Sequence, residues 1–276
     1  MTVSLLCGDR RLELSRPVVM GVLNVTADSF SDGGHYLDPA AALDRARRMI
    51  DEGAAIVDVG GQSTRPGAAP VPIDEELRRV IPVVHALTSL AAIISVDTSR
   101  PEVMRAALDA GAGLINDVRA LREPGALKAV AGTRAAICLM HMQGTPATMQ
   151  QAPVYGDVVT EVNAFLETQV QSCLQAGIAA ERIAVDPGFG FGKTLAHNLQ
   201  LLRALPRIAA AGYPVLVGLS RKSMIGTLTG RPVGDRLAGG LALALWAVQG
   251  GALIVRTHDV GPTIDAISAW SAVSGG

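Results

Sequence analysis

Residues 54–98 read AAIVDVGGQSTRPGAAPVPIDEELRRVIPVVHALTSLAAIISVDT, and this stretch decides the fold. Ala55–Gly60 and Ala92–Thr98 are short, near-continuous apolar runs rich in Val and Ile, the composition of strands buried on both faces of a parallel sheet. Between them, DEELRRVIPVVHALTSL (74–90) has the length and spacing of a helix. The unit repeats outward. Further runs at Val18–Val25, Gly113–Val118, Ala135–Met142, Ile183–Gly188, Pro214–Ser220 and Ala252–Asp259 bring the strand candidates to eight. DPAAALDRARRMIDEGA (38–54) is a second helix, opening with Asp38 as N-cap and Pro39 at the first helical position. Strict alternation of strand and helix, with no linker rich in Ser, Pro or charge, predicts one (β/α)8 TIM barrel domain over residues 1–276; a doubly wound open sheet is the structural competitor. Ahead of Val18, Gly8-Asp9 between two apolar runs predicts an N-terminal β-hairpin that plugs the barrel bottom.

Charge narrows the function. With 24 basic and 25 acidic residues mixed throughout and a formal net charge of -1, there is no electrostatic footprint for nucleic acid or an anionic membrane. The first residues, MTVSLLCGDRRLEL, carry charges where a signal peptide needs its apolar stretch. The most apolar tract, Leu237 to Val248, is shorter than the roughly 20 residues of a membrane helix, and a helix apolar all round is more often buried. Cys7, Cys138 and Cys173 are far apart and fit no metal spacing, so they read as small reduced hydrophobes of a cytoplasmic protein.

Each expected strand ends on polar groups: Asn24; Ser63, Thr64 and Arg65; Asp97; Asn116 and Asp117; His141; Asp186; Ser220, Arg221 and Lys222; Arg256 and His258. The strand starts are apolar or small. In a barrel all C-terminal ends open on one face, where catalytic groups sit, and polar side chains converging there lose hydration unless a polar ligand offsets it. Singly, several are bland: Asn116-Asp117 as a cap, Asp186-Pro187-Gly188 as a turn, His141 as a structural histidine. Arg256 and His258 share a strand face by period-2 spacing, and a guanidinium facing a barrel interior needs an anionic partner. Gly192-Lys193-Thr194 ends like a phosphate-binding P-loop, but the first glycine of that motif is replaced by Pro187. The glycines of GFGFGK (188–193) let the backbone approach a flat ring and hold Phe191 against it.

MGVLNVTADSFSDGG (20–34), VDVGGQSTRPGA (57–68), SVDTSRPEV (95–103), INDVRAL (115–121), MHMQGTPATMQ (140–150), DPGFGFGKT (186–194), LVGLSRKSMIG (216–226) and VRTHDV (255–260) resemble, in order, the signature blocks of the dihydropteroate synthases, in their bacterial housekeeping form. The resemblance implies condensation of 6-hydroxymethyl-7,8-dihydropterin pyrophosphate with p-aminobenzoate in folate synthesis, with pyrophosphate leaving ahead of amine attack. It implies a pterin site of Asp97, Asn116, Asp186, Lys222, Arg256, Met140 and Phe191, and a p-aminobenzoate pocket of Ser63, Thr64, Arg65, Pro66, Phe191, Lys222 and Ser223, where sulfonamides compete. Asn24, Arg65, Arg256 and His258 would hold pyrophosphate, with Asn24 also a ligand to Mg2+, and Asp97, Asp186, Lys222, Arg256 and His258 would form the catalytic set. Loops Thr26–Leu37 and Gly61–Ile73 would act as lids. Gln62 departs from the usual glutamate of the second block, which removes a charge that could pair with a neighbouring arginine. A homodimer is expected, with RLAGGLALALWAVQGG (236–251) and Trp270 at the interface. The alternatives are a pterin-dependent methyltransferase of the same barrel family and a non-catalytic pterin-binding paralogue.

Overall fold

A computed structural model describes residues 3–25, 39–63, 71–145 and 148–275. Asp38 and the span 26–37 lie outside the described residues, as do Thr64, Arg65 and Pro66. Strands β1 (Ser4–Cys7) and β2 (Arg10–Glu13) form an antiparallel hairpin. Eight parallel strands then close a barrel: β3 (Val18–Asn24), β4 (Ile56–Gly60), β5 (Ile93–Asp97), β6 (Leu114–Asp117), β7 (Ala136–Met140), β8 (Ile183–Asp186), β9 (Val215–Gly218) and β10 (Ala252–Thr257), with β10 pairing back to β3. Each falls inside its predicted run, and all but β4 stop earlier, where the chain leaves the ladder for the mouth. Helices α1 (Pro39–Asp51), α2 (Ile73–Leu87), α3 (Pro101–Asp109), α4 (Ala126–Ala131) and α5 (Val158–Gln175) cover the first half of the barrel. The second half carries α6 (Leu195–Arg203), α7 (Leu205–Ala209), α8 (Ser223–Thr229), α9 (Leu237–Gln249) and α10 (Val260–Ser274). Pro39 opens α1 as expected, where its missing N–H is no loss.

Two cores follow from strands buried on both faces. Outside the barrel wall, Val19, Val57, Ile94, Ile115 and Val217 pack against the helices. Inside, Met20, Ile56, Ile93, Leu114, Cys138, Leu216 and Ile254 fill the lower barrel, and Leu5, Cys7, Leu12 and Leu14 of the hairpin pack onto them from below. The Gly8 amide donates to the Arg134 carbonyl at 2.9 Å, pinning the hairpin turn beside β7. All three cysteines are buried and unbridged.

One expectation is corrected. The all-apolar α9 is not buried on every side: only Ala244, Ala247 and Val248 are buried, while Leu237 is 42% and Trp246 54% exposed. One barrel can cover only one face of an outer helix, so apolarity on the far face calls for a different partner. Trp270, by contrast, packs partly buried against the chain's own core. No helix among the described residues is long and apolar enough to cross a membrane.

Candidate active site

Side chains alternate along a strand, so the positions that point into the barrel can be counted from the apolar filling upward. Asp58 pairs in register with Ser95, Asp97 with Asn116, Asn116 with Cys138, and Met140 with Asp186. The filling therefore gives way, one layer at a time, to polar groups near the mouth.

The centre of this layer is Arg256. Its Nε donates to Asp58 Oδ2 at 2.6 Å and its Nη2 to Asp97 Oδ2 at 3.0 Å. Asp58 is fully buried and also accepts from Ser95 Oγ at 2.6 Å and Asn116 Nδ2 at 3.1 Å. Such a set of partners is what a carboxylate needs to stay charged out of water. One guanidinium thus faces two carboxylates. Burial, the largest influence, raises Asp97 to about 7, with Arg256 opposing and Asp58 reinforcing; for Arg256 burial pulls downward, but the surrounding carboxylates together outweigh it and hold the guanidinium above its ordinary range.

Asp186 ends β8, and its Oδ1 accepts from the Gly188 amide at 2.7 Å. Among the described residues its other oxygen has no hydrogen-bond donor. Burial lifts its pKa to about 6 against the pull of that amide and of Lys222, Lys193 and Arg256. Lys222 follows a tight turn in which Arg221 takes φ 60, with Arg221 itself directed to Asp259 at 2.6 Å. Lys222 Nζ stands 4.0 Å from the centroid of the Phe191 ring, a cation–π contact. Burial draws Lys222 down to about 8, and Asp186 opposes this. Phe191 packs with Met140, Met142, Met149 and Val118 as a small apolar wall. Asp97, Asp186, Lys222 and Arg256 therefore share one electrostatic environment at the barrel mouth.

Other predicted residues are placed around this centre. Asn24 ends β3 in register with Gly60, and a Cβ on Gly60 would lie 3.5 Å from Asn24 Oδ1. His258 follows β10, its Nδ1 3.1 Å from Ser220 Oγ, and Arg45 donates to its carbonyl at 3.3 Å. Ser223 opens α8 and is exposed beside Lys222. Ser63 is half-buried three residues past β4. Thr64, Arg65 and Pro66 lie outside the described residues, as do the lid at 26–37 and most of the second lid.

The bland readings hold for two residues. Asp117 points away from the barrel interior and accepts from Ser99 Oγ and the amides of Arg119 and Leu121, so it caps a loop. His141 packs edge-on to Phe165 and bonds Lys193. Gln62 makes no side-chain hydrogen bond among the described residues, and the nearby Arg79 is already paired to Glu75 at 2.8 Å while donating to the Gly61 carbonyl. The missing glutamate charge therefore leaves Arg79 with an anionic partner.

Asp58 is the functional residue that counting strand ends passes over. The signal was present: it is the one charge in an otherwise apolar run, two residues below Gly60 on the inward face. Among the described residues, no three His, Cys, Asp or Glu are grouped to hold a metal ion. Asn24 offers one neutral oxygen, which suits only a Mg2+ bound mainly by phosphate oxygens and water.

Known proteins resemble this chain over nearly its whole length. Residues 20–258 match the family described as Pterin binding enzyme. The chain is 55% identical over 257 residues to dihydropteroate synthase of Escherichia coli K12, covering 93% of this chain and 91% of that one. It superposes on the Xanthomonas albilineans dihydropteroate synthase solved with 4-aminobenzoic acid with a TM-score of 0.94 at 53% identity, covering 100% of both chains. The Yersinia pestis dihydropteroate synthase solved with a sulfonamide drug gives a TM-score of 0.94 at 49% identity, over 99% of this chain and 100% of that chain.

Proposed function

This chain belongs to the pterin-binding enzyme family, among the dihydropteroate synthases, and from that premise we propose how its side chains divide the work. The reaction condenses 6-hydroxymethyl-7,8-dihydropterin pyrophosphate with p-aminobenzoate to give 7,8-dihydropteroate and pyrophosphate.

Asp186 accepts the adjacent N–H groups of the pterin's amino-pyrimidine edge, a bidentate match for a carboxylate, and Asn116 lies at the same depth. Lys222 donates to the ring oxygen and N5. Met140 and Phe191 cover the flat faces. As the C–O bond to pyrophosphate lengthens, positive charge grows on the pterin methylene, and the carboxylates of Asp97 and Asp186 stabilise it. Arg256, His258 and Asn24, with Arg65, take up the departing diphosphate. Asn24 would be the protein ligand to a Mg2+ ion, which would supply charge neutralisation on the phosphate oxygens. The arylamine attacks as a neutral amine, the C–N bond forms, and its proton passes to solvent or to the departing diphosphate. No side-chain nucleophile is needed. Ser63, Thr64, Arg65, Pro66, Phe191, Lys222 and Ser223 seat the arylamine, and sulfonamides compete there.

The observation that supports this division is the single guanidinium of Arg256 held between Asp58 and Asp97, beside the Asp186–Lys222 pair. The test is direct: purified protein, Mg2+ and both substrates should release pyrophosphate in step with dihydropteroate formed. Release no faster than background, or release independent of the arylamine, refutes it.

We further propose that the exposed apolar face of α9 is covered by a second copy of the chain, with Trp246 near its centre, and that the enzyme acts in the cytoplasm. Trp246→Glu would place a charge in that contact, where desolvation without a partner costs several kcal/mol. The parent chain is expected to sediment as a dimer at micromolar concentration and the variant as a monomer. A monomeric parent refutes the dimer.

A further inference from the structure

Resting on the reading above and deepening it, we propose that Lys193 is a positioning residue for the arylamine: its ammonium locks the turn 188–193 so that the Phe191 ring stands as a fixed wall beneath Lys222. Lys193 is the middle residue of the triplet whose likeness to a phosphate loop fails on spacing, and its Nζ turns to carbonyls and a ring nitrogen of its own chain. Its side chain is 3% exposed, and Nζ lies 2.9 Å from the Gly188 carbonyl, 3.0 Å from the Phe191 carbonyl and 2.9 Å from His141 Nδ1, with the His141 carbonyl at 3.3 Å. An ammonium has three N–H donors, and three close acceptors saturate them.

Toward a charged Lys193, which can only donate, His141 Nδ1 must accept, and this puts the ring proton on Nε2. Burial, followed by the Lys193 charge, pushes His141 down to about 3, which keeps the ring neutral. Burial also draws Lys193 down to about 7, with Asp186 opposing.

The turn leaves no slack for other arrangements. Gly188 has φ +71 and an added Cβ would lie 1.9 Å from the His141 carbonyl oxygen; at Gly192, with φ +61, it would lie 2.5 Å from that of Gln143. Asn198 accepts from the Gly190 amide, Gln150 donates to the Gly190 carbonyl and Tyr155 to the Gly192 carbonyl. These neighbours hold the glycines, whereas among the described residues Lys193 is the side chain that reaches the carbonyl of Phe191 itself. Phe191 is also the residue over which Lys222 is stationed, 4.0 Å from the ring centroid. A small shift of a wall in a site of this kind changes binding of the group that rests on it by far more than it changes the fold.

The experiment compares Lys193→Gln, which keeps two donors, with Lys193→Met, which keeps none. The Michaelis constant for p-aminobenzoate is expected to rise about tenfold in the first and further in the second. Turnover at saturation should stay within about threefold, and the calorimetric affinity for the pterin pyrophosphate without arylamine, whose ring Phe191 also meets, should fall by a smaller factor than the arylamine constant rises. Phe191→Ala should raise the same constant by itself, and in that background Lys193→Gln should add less than about threefold, because the wall it positions is gone. Additive effects, equal losses for both substrates, an unchanged arylamine constant, or failure of both lysine variants to fold would each overturn the assignment and leave Lys193 a purely structural residue. A parent chain without turnover would instead remove the functional reading on which the proposal rests.

Discussion

Replacing Arg256 by leucine is expected to reduce turnover by about a hundred- to a thousandfold, the loss typical when a preorganised donor to developing negative charge is removed. The same substitution should destabilise the folded chain by about 3–5 kcal/mol, because it strands two carboxylates rather than one. Asp58 is fully buried, and its Ser95 and Asn116 bonds remain, but its cation at 2.6 Å is lost; Asp97 loses its partner at 3.0 Å. Stranded acids neutralise by taking up protons, so the destabilisation should shrink as pH falls. Pyrophosphate release and chemical denaturation at two pH values measure both effects. Turnover within tenfold of the parent would mean that Arg256 does not meet the diphosphate.

Asp97→Asn should lower turnover by at least about tenfold, since an amide cannot stabilise a developing cation as a carboxylate does. Its pH signature is more telling than its size. In the parent, burial raises Asp97 to about 7, above the roughly 3.9 of an unfolded aspartate. A raised pKa means that the folded form binds the proton more tightly, so its contribution to stability is complete below about 4 and is lost as pH climbs through about 7. The asparagine variant has no such loss: relative to the parent, its stability should improve between those limits and level off above them. Activity moves the opposite way. Only ionised Asp97 assists the methylene cation, so the parent's kcat/KM should climb with pH through about 7, and the variant should retain only the limb near 6 expected of Asp186. An unaltered inflection near 7 in Asp97→Asn would reassign it to another group.

The barrel was legible because its strands are buried on both faces and so appear as unbroken Val/Ile runs. IVDVG, IISVD and AICLM need no alternation to be recognised, and each lies inside its predicted range. The strand ends were legible for the converse reason, since Asp97, Asp186 and Arg256 interrupt apolar runs at the depth where a barrel opens. Asp58 was hidden by that same rule. It lies a layer below the mouth, and only stepping down by two from Gly60 along the inward face would have found it. Lys193 was hidden because a lysine in a glycine-rich turn is read first against phosphate, and a structural ammonium leaves no periodic trace. The α9 helix was legible only in part: apolarity on all sides signals burial, and the sequence admits both the chain's own core and a second copy as the burying surface. Thr64 and Arg65, read as strand-end polar groups, and Pro66, named by resemblance, fall outside the described residues.

The hairpin of Ser4–Glu13 has a consequence for traffic. With Leu5 and Leu12 packed across the base, the described residues leave the rim beside Lys222 as the way in. A vessel with a single opening fills and empties as a stack. If Asn116 and Asp186 hold the flat heterocycle as proposed, it arrives before its aromatic partner closes the space above it, and the joined molecule backs out by the way both came.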